Sequence, residues 1–175
     1  MDTQKLMVLD FLSKQNVEVR SWRHNQISGF QRIFILNNGV LAYVDMRVSN
    51  RIFVVDELFE ANIGEYILAH EFGHIICRRS EENPLTQAYM AHVKDNSLNG
   101  DYRFMENVDR LKMEEEYLVD MFAVHMLKEH LDLSTNAMEQ YHINMRMNSF
   151  NTLIGEEKRC QMNEIAFKMS KTLVY

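Results

Sequence analysis

Proline, cysteine, glycine and positive charge are all scarce in this chain, which holds one proline, two cysteines and six glycines in 175 residues. Cys77 and Cys160 stand apart without metal-type spacing, which fits a reducing compartment rather than a disulfide framework. Nineteen Lys and Arg face twenty-five Asp and Glu, for a net charge of -6. With no Lys/Arg run to offset that balance, a direct nucleic-acid partner is not expected. No uninterrupted apolar stretch is long enough to span a bilayer. The opening Met-Asp-Thr-Gln-Lys-Leu-Met-Val lacks the basic and then apolar pattern of a signal peptide. Internal repeats, low-complexity segments and domain boundaries are also missing. An apolar fraction of 46% and a charged fraction of 25% are ordinary for a globular protein. The expectation is one cytoplasmic, soluble domain over residues 1–175, with no membrane association.

Local patterns divide the chain into a strand-rich first third and a helix-rich remainder. Residues 4–14 read as a short helix, and Val17–Trp22 alternates as a strand does. Arg32–Leu36 and Val40–Val44 flank Asn37-Asn38-Gly39, the strongest short hairpin signal because its turn needs positive φ. Arg51–Asp56 is a further strand. The next helix starts near Asn62 or Gly64 and runs to about Arg79. Pro84 and the polar stretch Lys94–Asp101 mark residues 80–101 as an excursion with a short helix at 85–94. That polar stretch reads as a solvated loop in preference to a lid. A long helix covers 105–130. Ser134 or Asn136 caps the next one, with Glu139 three residues after Asn136 as in a capping box. A last helix covers 156–172. The fold class is therefore α+β: a small, mainly antiparallel N-terminal sheet packed on a helical core, helix-rich in the C-terminal part.

The helix at 64–79 carries the chemistry. It contains His70-Glu71-Phe72-Gly73-His74, an H-E-x-x-H pattern. At roughly 100° per residue, Glu71 lies about 100° and His74 about 40° round from His70, so all three share one sector. Two imidazoles one turn apart can grip one metal ion, and the carboxylate beside them can reach a water on it. Ile67, Leu68, Ala69, Phe72, Ile75 and Ile76 anchor the other faces. Chance alone gives about 0.02 such matches in a chain of this composition.

A catalytic zinc site needs a third protein ligand and an open position. The extended H-E-x-x-H-x-x-G-x-x-H pattern is excluded, because Cys77 and Ser80 stand where Gly and His would be needed. Glu114-Glu115-Glu116-Tyr-Leu-Val-Asp120 offers carboxylates instead. Glu116 and Asp120 are one turn apart, on a face continued by Val119, Ala123 and Leu127. A carboxylate pair on an apolar face is costly unless partnered. Glu116 as ligand and Asp120 as acceptor for the second ring N–H of His70 or His74 would supply partners. One or two of the three consecutive glutamates should then belong to a solvated acidic face.

These residues resemble the ImmA/IrrE family of intracellular zinc metallopeptidases, in Ile52–Asp56, Ile67–His74 and Glu116-x-x-x-Asp120-x-Phe122-Ala123. The likeness covers roughly residues 50–130 and implies a zincin-like core. It implies a regulatory protease, often from phage or mobile elements, that cleaves a helix-turn-helix repressor. No repressor domain lies in this chain, so such a partner would be a separate protein.

His24, His92, His125, His130 and His142 lack ligand spacing and are expected to be structural, with His92 the least implausible extra donor. His125 should point away from the metal. Cys77 reads as a core thiol, Tyr66 as a core residue, and the thirteen methionines as core filler or an adaptable peptide groove. The leading reading is a zinc-dependent endopeptidase with Glu71 as general base. The alternative is a metal-containing binding module that sequesters a regulatory protein without turnover. A purely structural metal site would have no need of Glu71. One zinc per molecule is expected in the wild type and none in His74→Ala, measured by elemental analysis; full occupancy in the variant would remove His74 from the ligand set.

Overall fold

The computed structural model describes residues 6–21, 41–44, 50–79, 102–133 and 136–173. Within them the order is α1 (Met7–Lys14), β1 (Glu18–Ser21), β2 (Ala42–Val44), β3 (Arg51–Val54), a 3-10 turn at Asp56–Glu60, α2 (Gly64–Arg79), α3 (Tyr102–Leu131), α4 (Ala137–Leu153) and α5 (Glu156–Lys171). The α+β class expected from the sequence is correct. Trp22, His24, Arg32–Leu36, the Asn37–Gly39 turn and the 80–101 excursion with Pro84 and His92 lie outside the described residues.

The sheet corrects one expectation. Among the described residues its order is β1-β3-β2, with β1 parallel and β2 antiparallel to β3, so the described sheet is mixed rather than mainly antiparallel. Hairpin signals specify only neighbouring antiparallel strands. The parallel pair joins Glu18–Ser21 to Arg51–Val54, and no local pattern announces a pairing across that separation.

Helix ends follow local chemistry. Asn16 (φ 57) ends α1 and Asp132 (φ 49) ends α3, both in the left-handed region that short polar side chains tolerate. The following N–H reaches back to close each end, Val17 to the Leu12 carbonyl at 2.9 Å and Leu133 to the Leu127 carbonyl at 3.1 Å. Asn136 caps α4 in a full capping box with Glu139, as the sequence implies. The N-terminus of α1 is capped from a distance: both Glu65 oxygens accept from the backbone, from Met7 N at 2.7 Å and Val8 N at 2.9 Å.

One hydrophobic cluster joins these elements. Phe11, Leu12, Leu58, Leu68, Phe72, Leu118, Phe122 and Leu127 lie at its centre, each with at most 1% of its surface exposed. The α3 segment from Leu118 to Leu127 is buried on several sides, between α2 and α5. No described helix is long and apolar enough to cross a membrane.

The contact that sets the spacing of α2 and α3 is at Gly73. A Cβ there would meet Val119 Cβ at 2.9 Å and Phe122 Cδ1 at 3.1 Å. Ala123, the small residue expected to allow the approach, is buried as well. Gly73→Ala should therefore destabilise the fold by about 1–3 kcal/mol from overpacking, partly offset by up to about 1 kcal/mol of helix propensity. Urea unfolding checks this, and equal or greater stability would contradict the close approach.

Candidate metal centre

The α2 helix presents His70, Glu71 and His74 along one flank, while Tyr66, Leu68, Ala69, Phe72 and Ile75 anchor it in the core. Facing them is the turn of α3 from Glu115 to Asp120. Their one-turn spacing on α2 brings the ring nitrogens His70 Nε2 and His74 Nε2 to 3.2 Å from each other. Glu116 straddles that pair, its Oε2 3.4 Å from His70 Nε2 and its Oε1 3.4 Å from His74 Nε2. His70, His74 and Glu116 form a group that could hold a metal ion, each residue offering one atom within 4.8 Å of the others.

The outer nitrogens are fixed by carboxylates. His70 Nδ1 lies 2.7 Å from Asp120 Oδ1, and His74 Nδ1 lies 3.2 Å from Glu115 Oε1. A carboxylate accepts, so each Nδ1 carries the proton and each Nε2 is left to ligate. Of the two histidines open as Asp120's partner, the structure chooses His70. Asp120 is fully buried and is satisfied by two more donors, Tyr66 OH to Oδ1 at 2.5 Å and Arg146 Nε to Oδ2 at 2.6 Å. Arg146 also donates through Nη2 to Glu116 Oε2 at 2.9 Å.

One expectation changes here. Glu114 and Glu115 are buried and belong to no solvated acidic face, while Glu116 is the more exposed neighbour, its side chain 40% accessible. The reason is that α3 is covered from both sides: His74 takes Glu115, and Lys158 of α5 lies 3.4 Å from Glu114. His142 lines a cleft of about 270 Å³ together with Leu41, Ala42, Tyr66, Ile67, His70, Glu71 and Arg146. Arg146 had no sequence signal. It stands on a separate helix, and only tertiary docking brings it to the pair. The rest follow the sequence reading. Tyr66 and Cys77 are buried, His125 faces Asn163 on α5 (2.9 Å), and His130 lies 2.7 Å from the Ser170 carbonyl.

Protonation follows from these contacts. Burial alone would lower His70 and His74, but the hydrogen bonds of Asp120 and Glu116 to His70, and of Glu115 and Glu116 to His74, outweigh it and raise them to about 9 and about 10. Burial would raise Glu116 and Asp120, and their imidazole partners hold them well below the usual carboxylate range instead. Glu71 goes the other way: burial pushes its carboxyl up, against the nearby imidazoles. Without metal, two imidazolium charges and Arg146 set the charge balance against the lowered carboxylates of Glu116 and Asp120. A dication that displaces both protons leaves that balance unchanged.

A scan of family models and searches of curated proteins and of solved structures return no match for this chain. The proton balance gives the test of the centre. Divalent metal uptake near pH 7 should release close to two protons per ion, seen with an indicator dye in weak buffer. Because the imidazoles hold their protons up to about 9 and about 10, apparent affinity should rise by about a hundredfold per pH unit below that range and level off above it. No proton release would mean the imidazoles are already neutral.

Proposed function

We propose that this chain is a zinc-dependent endopeptidase of the zincin type, acting on a separate protein such as a helix-turn-helix repressor. The observation that carries the reading is the oriented pair: two histidines whose Nδ1–H groups are both engaged by carboxylates, with both Nε2 atoms turned to one point beside Glu116. Two imidazole nitrogens with one carboxylate favour zinc over the oxygen-seeking magnesium and calcium. The 3.2 Å between the nitrogens also matches the edge of a tetrahedron with bonds of about 2.0 Å. Three protein ligands, rather than four, suit a catalytic site with a position left for water or substrate.

When bound, zinc supplies Lewis-acid polarisation of a carbonyl and an acidified water. The protein supplies the rest. Asp120 and Glu115 hold the two imidazoles in one tautomer and one orientation. Glu71, part-buried in the cleft wall next to His70, accepts the proton from the attacking water and delivers it to the leaving amine. Its burial-raised carboxyl suits that exchange, because a base poised nearer neutrality can also return the proton. Leu41 and Ala42, at the β2 side of the cleft, give an apolar wall for the substrate chain. The repressor as substrate, the regulatory role and the cytoplasmic setting rest on the resemblance to the ImmA/IrrE family.

Glu71→Gln tests the reading, since it keeps shape and removes the base. Zinc content and fold should be unchanged, while cleavage of a repressor encoded beside the gene should fall by about 10²–10⁴-fold. Equal biological effect from both proteins would favour the sequestering module over the enzyme.

A further inference from the structure

Arg146 enters the centre from α4 and is held from two sides. Its guanidinium carbon lies 5.6 Å from the centre of the Phe150 ring, one turn further along the same helix. Phe150 is itself packed edge-on against Tyr117 of α3 at 5.7 Å. From this seat the planar fork reaches two different carboxylates, Nε to Asp120 at 2.6 Å and Nη2 to Glu116 at 2.9 Å. A rigid fork of this kind fixes direction as well as charge.

The consequence falls on Glu116. A carboxylate beside a metal ion can bind through one oxygen or through both. Glu116 is placed so that both are within reach, since each oxygen lies 3.4 Å from one of the two Nε2 atoms. Two-oxygen binding would add a donor beside the bound water, take the ion from four ligands to five, and close the position through which substrate would reach it. Oε2, however, already accepts from Arg146. We infer that Arg146 is a positioning residue that confines Glu116 to a one-oxygen grip through Oε1 and so keeps one coordination position open. This rests on the reading that His70, His74 and Glu116 hold the ion. The same fork keeps Asp120 directed at His70, so one side chain governs the third ligand and the orientation of the first.

Cobalt(II) in place of zinc reads coordination number directly, because four-coordinate cobalt absorbs visible light several-fold more strongly than five- or six-coordinate cobalt. The metal-free full chain is titrated with Co²⁺ as the wild type, Arg146→Met and Arg146→Lys, with circular dichroism to confirm folding. The wild type should give the intense four-coordinate spectrum. Arg146→Met, of similar length but without donors, should lose most of that intensity as the freed oxygen joins the ion. Arg146→Lys should shift the same way by less, because one ammonium cannot span both carboxylates. It decides the matter if the Met variant does not fold. A folded variant with the wild-type spectrum, or a wild type whose spectrum is already weak, overturns the role of Arg146 and leaves the metal site standing. A wild type that takes up no cobalt overturns the metal site and the Arg146 role together.

Discussion

The buried carboxylate of Asp120 is the point on which the centre depends. It takes three donors from two helices, Tyr66 and His70 from α2 and Arg146 from α4, while it stands itself on α3. An ionised carboxylate with no exposed surface is costly to bury alone, and three donors offset that cost. The arrangement is therefore all or nothing in character. Remove one donor and the charge is left short of partners; remove Asp120 and a phenol, an imidazole and a guanidinium are stranded together. The helices converge on one charge, which is why the site can be rigid although α4 buries few of its own residues, Glu139, Ile143 and Phe150 among them.

The same polar logic connects the ends of the helices. Glu139 closes its own helix through Asn136 and also accepts from the Tyr66 backbone at 3.3 Å, at the start of α2. Glu65, one residue earlier, caps α1. Adjacent residues of α2 thus tie it to α4 on one side and α1 on the other, close to the turn that carries His70. Anchoring a ligand-bearing turn at its base in this way limits how far its histidines can drift.

What the sequence makes legible here is what a single helix dictates. His70, Glu71 and His74 are related by helical angle, and Glu116 and Asp120 by one turn, so both sets could be read before any packing was known. The capping box at Asn136 is equally local. Glu115, Arg146 and His142 were not legible, because their relation to the centre exists only once α3 and α4 are docked on α2. The acidic run misled for a related reason: a charge run is solvated unless a second helix covers it, and Lys158 belongs to a helix more than forty residues away in the chain. The parity of the sheet failed likewise, since β1 meets β3 across a long connection.

Gly73 and Val119 have a meaning beyond packing. The two nitrogens stand on α2 and the carboxylate on α3, so the gap between the helix axes is also the bite of the ligand set. Backbone contact at Gly73 works as a calliper closed on its stop. Any bulk added on either side of that contact would open the jaws, so residues outside the candidate ligand set govern its spacing.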